Sequence, residues 1–146
     1  MEINGIRNNY SSGHYIIGKV VYQEMIEYCR NHLPYEACGL LSGIKGKGLT
    51  LWKLKNESRR LNRFYMSRKS IKQAVEEMEE HAEQPTGMFH SHPNTPATPS
   101  FQDIKNNPYT KLAYIIVSFY KGKVEVGCFK TNGKTAVPLE LVIFDG

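Results

Sequence analysis

"GMFHSHPNTPATPSFQD", residues 87–103, sets two histidines one residue apart and an aspartate eleven positions after the second, with three prolines in between. The run is too polar and broken for ordinary core, and too rich in ligand side chains for an ordinary turn. "TGMFHS" reads as a short strand ending at the histidines. Alternate strand positions face the same side, so His90 and His92 can aim both imidazoles at one point where the strand ends. Asp103 then returns from a proline-rich turn and the first turn of a short helix beginning near Ser100. Two imidazoles and one carboxylate suit Zn²⁺, and three protein ligands leave a fourth position for water, the mark of a catalytic rather than a structural site.

Blander readings exist for each part. His-x-His alone is a weak signal. Ser100-x-x-Asp103 is also a helix N-cap signature, with Ser100 capping and Asp103 in the first turn. The two roles can coexist, because the start of a helix would fix Asp103 in space. A zinc hydrolase further needs a base that takes a proton from water and passes it to the leaving group. No H-E-x-x-H motif is present, so the base must come from elsewhere. Glu36 follows Pro34 and Tyr35 and opens the apolar stretch "ACGLLSG". Such a place is unusual for a free carboxylate, although a strand-end glutamate in water would look the same.

Outward from this stretch, "VYQEMIEYCRNHL" places Tyr22, Met25, Ile26, Cys29 and Leu33 at helical spacing, which predicts a helix over about 20–32 stopped by Pro34. "EACGLLSGI" reads as a buried strand, "GIKGKGL" as a glycine-rich turn, and "LTLWKLKN" as a half-buried strand closing a hairpin. "ESRRLNRFYMS" has no clean period and reads as a loop. A second helix is expected from about Ser70, with Ser70 and Gln73 as a capping box and Ile71, Ala74, Val75 and Met78 on one face. Its lysines sit at the start and its glutamates at the end, opposite to what the helix dipole favours. "KLAYIIVSF" is the most apolar strand. "KGKVEVGCFK" pairs with it across a Lys121-Gly122 turn, and "AVPLELVIF" is a last edge strand interrupted by Pro138. Strands and helices without regular βαβ alternation predict an α+β fold, one mixed sheet flanked by helices.

The totals agree with a folded enzyme or binding module. The 146 residues fit one domain over 1–146, and 40% hydrophobic residues support a real core. No stretch approaches the roughly 20 apolar residues that span a bilayer. The polar start "MEINGIRNNYSSGHY" has no apolar core of a secretion signal. Cys29, Cys38 and Cys128 are widely spaced and form no C-x-x-C pair, as expected of reduced thiols in a cytoplasmic protein. The net charge is +5, and ten Lys or Arg against one acid, Glu57, fall between Lys45 and Lys72. That block is either a solvated surface or a contact for an acidic protein or nucleic acid.

His90-Ser91-His92, seven residues, Ser100, two residues and Asp103, with Glu36 upstream in "PYEACGLLSG", resembles the JAMM (MPN+) metalloprotease family, in particular its small single-domain prokaryotic members. The family pattern E…H-[ST]-H-x7-S-x-x-D is matched without a gap, and the resemblance covers roughly residues 17–130. It implies the cytidine-deaminase-like MPN fold, with His90, His92 and Asp103 as zinc ligands. Glu36 would act as general base and then acid, and Ser100 as donor to the oxyanion. Ser91, between the histidines, would either support the site or, at its strand position, point away from the metal. The resemblance implies as substrate a ubiquitin-like or sulfur-carrier protein, cut at the amide or isopeptide bond after its Gly-Gly tail. Asn56 and Arg63 are candidate substrate-binding residues, Asn56 near the tail and Arg63 in the basic loop 57–69. Polyubiquitin-specific relatives carry a long insertion after Asp103 that is missing here. The alternatives are a non-catalytic MPN scaffold and a DNA-associated protein of the same fold. A membrane partner is not expected and nucleic acid is disfavoured: the deaminase signature H-x-E with P-C-x-x-C is absent. The oligomeric state is left open, a homodimer included.

Overall fold

A computed structural model describes residues 13–145. Its first elements are β1 (His14–Gly18), α1 (Lys19–Asn31), β2 (Cys38–Gly43) and β3 (Thr50–Leu54). Next come α2 (Arg68–Glu80), β4 (Gln84–His92), α3 (Phe101–Asn106) and β5 (Ala113–Ser118). A 3-10 turn at Tyr120–Gly122 leads to β6 (Glu125–Thr131), β7 (Ala136–Pro138) and β8 (Glu140–Phe144). The main sheet has six strands in the order β3-β2-β4-β5-β6-β7, and only its β4–β5 pair is parallel.

Strand alternation divides this sheet between two cores. One face carries Cys38, Leu40, Met88, Tyr114, Ile116 and Phe129, which pack with Ile71, Ala74 and Met78 of α2. The other carries Leu41, Phe89, Ile115, Val117 and Cys128, which pack with Val21, Met25 and Cys29 of α1 and with Tyr15 and Ile17 of β1. Burial on both faces explains why β2 and β5 read as unbroken apolar runs rather than alternating ones. β4 is likewise buried from Pro85 to His92. Met88 lies on the α2 face, so His90 and His92, two and four positions on, share that face.

Three local expectations change. Ser67, not Ser70, caps α2, its hydroxyl accepting from the Ser70 N–H at 3.1 Å. Glu57 completes that end: its Oε2 accepts from the Ser67 N–H at 2.8 Å, and this bond holds the carboxyl below its usual range. The negative charge that the start of α2 lacks in its own sequence is thus supplied from the preceding loop. Residues 136–144 form two strands instead of one. The Leu139 N–H still bonds to Cys128 O of β6 at 2.8 Å. From Glu140 on the chain leaves the main sheet, and Glu140 N–H bonds to Gly13 O at 2.8 Å. β8 then pairs in parallel with β1, a strand not foreseen, in a separate two-stranded sheet on the α1 side. The polar start of the chain, residues 1–12, lies outside the described residues.

The proline-rich segment is laid over the sheet by main-chain and hydroxyl contacts. Phe119 N–H bonds to His92 O at 3.0 Å, and Ser118 Oγ donates to Thr95 O at 2.6 Å. Gly127 on β6 allows the close approach, because a Cβ there would run into the Ala97 carbonyl. Gly127→Ala should therefore displace the segment that carries the chain from His92 to Asp103. We expect a loss of about 1–3 kcal/mol in urea unfolding, typical of overpacking, and weaker metal binding.

Candidate metal centre

Three donor atoms from two elements meet at the C-terminal end of β4. His90 Nε2 and His92 Nε2 lie 3.1 Å apart. Asp103 Oδ2 lies 3.0 Å from His92 Nε2 and 3.5 Å from His90 Nε2. Both imidazoles are buried and the carboxylate is nearly so. Asp103 is held by a capping box that opens α3. The Asp103 N–H donates to Ser100 Oγ at 3.0 Å, and the Ser100 N–H donates to Asp103 Oδ2 at 2.9 Å. Capping and convergence on the histidines thus use the same carboxylate oxygen.

The triangle of donors fits a cation. Tetrahedral zinc with ligands at roughly 2.0–2.1 Å places its donors about 3.3–3.4 Å apart, close to the three separations here. His92 Nδ1 lies 2.8 Å from the Pro96 carbonyl, which can only accept, so Nδ1 carries a proton, and in the neutral ring Nε2 then turns its lone pair to the cluster. His90 Nδ1 is buried with no hydrogen-bond partner among the described residues. Its ring is held by packing instead: Phe64 stacks on it at 4.4 Å and Tyr114 lies against it at 5.3 Å.

The electrostatics follow from burial and this close meeting. Burial opposes ionisation of Asp103, but hydrogen bonds from His90 and His92 hold its carboxyl well below the usual range. Burial disfavours charge on His92, yet Asp103 and the Pro96 carbonyl raise its pKa. For His90 burial wins over the pull of Asp103, and its pKa falls.

Glu36 reaches the same neighbourhood through strand register. Cys38 on β2 pairs with His90 on β4 in antiparallel fashion. The pairing extends one residue further: Ser91 N–H bonds to Ala37 O at 3.0 Å, and Ala37 N–H bonds to Ser91 Oγ at 2.8 Å. Continued by one more position, it sets Glu36 across from His92 and on the same face. Glu36 is only 7% exposed. Burial pushes its carboxyl up to about 7, with His92 pulling it down and Asp103 pushing it further up.

The remaining sequence candidates separate. Ser100 is exposed beside Asp103, and its hydroxyl proton stays available while its oxygen accepts the cap bond. Asn56 has both amide protons engaged, by Glu36 O at 2.9 Å and Arg63 O at 3.0 Å. Its carbonyl accepts from Ser58 N–H at 2.9 Å and Tyr65 N–H at 3.0 Å. No donor or acceptor of this carboxamide is left over for a substrate. The Arg63 side chain stands in solvent with Arg59, Arg60 and Leu61 at the tip of the loop, and enters no ion pair among the described residues. Phe64 and Pro96 are supports that sequence reasoning passed over. Parity along H-S-H points Ser91 away from the metal face, but says nothing of what it meets there.

Residues 18–128 match the family model for prokaryotic homologs of the JAB domain. The chain belongs to the JAB-domain family. Among solved structures, this JAB-domain protein is similar to a protein from Desulfitobacterium hafniense determined in solution, with 28% identity and a TM-score of 0.80 over 90% of this chain and 94% of that one. It is also similar in fold to a JAB1/MPN domain protein from Archaeoglobus fulgidus, with 24% identity and a TM-score of 0.57 over 86% of this chain and 97% of that one. A Salinibacter ruber protein shares the fold at 21% identity, with a TM-score of 0.63 over 86% and 88% of the two chains. Among curated proteins none matches. The family and the His90-His92-Asp103 cluster together make a metal site the natural reading of this end of the sheet.

Proposed function

We propose that this JAB-domain protein is a zinc-dependent peptidase or isopeptidase that hydrolyses the amide bond after the C-terminal Gly-Gly of a ubiquitin-like sulfur-carrier protein in the cytoplasm. The observation that carries the reading is the convergence of His90, His92 and Asp103, with Glu36 buried and near enough for its carboxyl to feel the charges of His92 and Asp103. A zinc ion held by the three ligands would supply Lewis acidity and lower the pKa of water to about 7. Glu36 takes the proton from the attacking water and delivers it to the departing amine, which a carboxyl near pKa 7 can do in both directions. The Ser100 hydroxyl donates to the oxygen of the tetrahedral carbon as negative charge develops there.

The substrate body is read from charge. Arg59, Arg60 and Arg63 stand exposed in one loop, while the local acid, Glu57, is spent on the start of α2. The same loop carries Phe64 onto His90. An acidic carrier would therefore be drawn to the loop while its thin tail enters the site. No helix among the described residues is long and apolar enough to cross a membrane, and the free, buried cysteines accord with a reducing compartment.

The test is direct. Zinc-loaded protein is incubated with β-grasp carriers fused through Gly-Gly to a reporter, and the products are weighed. We expect cleavage after the second glycine, about one zinc per chain, and a rate that falls with added salt for an acidic carrier. A protein that carries zinc and cuts none of these fusions would overturn the reading.

A further inference from the structure

The proposed reaction needs Glu36 at a fixed height above the ligand cluster, yet Glu36 lies outside β2, in the irregular stretch that precedes Cys38. Something must hold this main chain. Two side chains do so from different elements. Ser91 of β4 takes the Ala37 N–H on its hydroxyl at 2.8 Å, and its own N–H binds Ala37 O at 3.0 Å. Asn56, two residues beyond β3, donates to the Glu36 carbonyl at 2.9 Å. The rest of the Asn56 amide ties down the loop through Ser58, Arg63 and Tyr65, and Phe64 in that loop is the ring stacked on His90.

We infer that Ser91 and Asn56 are positioning residues that fix the main chain of Glu36 from two sides, Asn56 also fastening to it the loop that orients His90. This rests on the reading of Glu36 as the base, and deepens it. Ser91 is fully buried and faces away from the histidines that flank it. It touches neither metal nor substrate, and acts through Glu36. Asn56 does the same by a bond to a carbonyl, not to the carboxyl. A shift of about 1 Å in a reacting group can cost 10²-fold in rate, so either bond matters more to the reaction than to the fold.

The test compares Ser91→Ala, Ser91→Thr and Asn56→Asp with the wild type. Zinc content, amide hydrogen exchange, and kcat and KM on a Gly-Gly-aminocoumarin peptide are measured for each. Ser91→Ala leaves the Ala37 N–H without its acceptor, so its exchange should quicken roughly 10-fold or more while core amides of β5 stay protected. Zinc content should hold, kcat should fall roughly 10- to 100-fold, and KM should change less than about twofold. Ser91→Thr keeps the hydroxyl and should restore both exchange and kcat. Asn56→Asp keeps the carbonyl-like acceptor but loses the donors, and should lower kcat and also speed zinc release, because Phe64 is no longer held on His90. Unchanged Ala37 exchange in Ser91→Ala, or a loss of kcat that only tracks a loss of zinc, would overturn the inference. A wild type inactive on every Gly-Gly probe would instead strike at the proposed function, and the exchange measurement would still decide whether the clamp exists.

Discussion

Glu36→Gln protein is expected to bind zinc as the wild type does and to hydrolyse Gly-Gly amides roughly 10²- to 10⁴-fold more slowly, the contribution general acid–base catalysis commonly makes. Glutamine matches glutamate in shape and keeps the main-chain bonds to Asn56 and Ser91, so the site should stay assembled. It cannot accept a proton. The measurement is kcat beside zinc content by atomic absorption, and full activity would remove Glu36 as the base. The pH dependence has a definite sign. The base works as the carboxylate, so the rate rises with pH through the pKa of Glu36 and then levels. In the metal-free protein that carboxyl is pushed up to about 7. A cation on the neighbouring ligands favours the ionised form, so the limb for loaded enzyme should fall below 7. Carbon NMR of the Glu36 carboxyl with and without zinc reads both positions. Stability moves the other way. A folded-state pKa raised above the usual 4.5 means that Glu36 contributes stability at low pH that is lost as pH rises through about 7. Metal-free Glu36→Gln should therefore resist urea better than metal-free wild type at pH 8. The same carboxyl that serves the reaction costs the fold, as functional groups often do.

What could be read beforehand, and what could not, divides along the range of the interactions. The period of two across His90 and His92, and the S-x-x-D start of α3, are local, and they place three donors within reach of one another before any tertiary contact is known. The helical spacing of α1 is local too: Met25 and Cys29 of the predicted face are buried with Val21 beside them, Tyr22 and Ile26 are half-buried, and Leu33 lies exposed past the helix end. The register between β2 and β4 is not local. It joins residues from Gly43 and Gln84 to Cys38 and His90, about 40 to 50 positions apart, and a slip of one residue would turn Glu36 to the α1 side of the sheet. Nothing near Glu36 in sequence encodes that register. The motif match placed Glu36 by resemblance, and the structure supplies the physical route. Asn56 shows the opposite failure. A polar residue just past a strand and near the site invites a substrate role, but its four bonds all go to main-chain groups of nearby segments. The departure of β8 from the main sheet depends on β1 being there to receive it, and a short strand such as "HYIIG" has too little pattern to announce itself. The cap of α2 lies three residues before the one its pattern predicts, because both Ser67 and Ser70 are good caps and only the arrival of Glu57 from the loop favours the first.

Asp103→Asn separates the two tasks of one oxygen, and its outcome bears on whether this end of the sheet is a metal site at all. In the wild type Asp103 Oδ2 accepts from the Ser100 N–H and also faces both histidines. Asparagine keeps a carbonyl oxygen that can take the Ser100 N–H, and its own N–H still reaches Ser100 Oγ, so the start of α3 should persist. What disappears is the charge and the anionic donor. Altering a group that merely supports a ligand already costs roughly 10- to 100-fold in metal affinity, and replacing a ligand should cost at least as much. We therefore expect Asp103→Asn to lose zinc on dialysis that leaves the wild type loaded, and to lose hydrolysis with it. Its unfolding midpoint in the presence of a chelator should lie close to that of metal-free wild type, because the cap survives. With excess zinc the two should part: the wild type gains stability in proportion to the logarithm of free zinc over its dissociation constant, and the variant gains little. Equal zinc-induced shifts in both would mean that the cation sits elsewhere and that the carboxylate between the histidines serves the helix alone. If the variant unfolds early even without metal, Asp103 is first a structural residue, and the short separations around it reflect an ion pair with His92 rather than a site waiting for a cation.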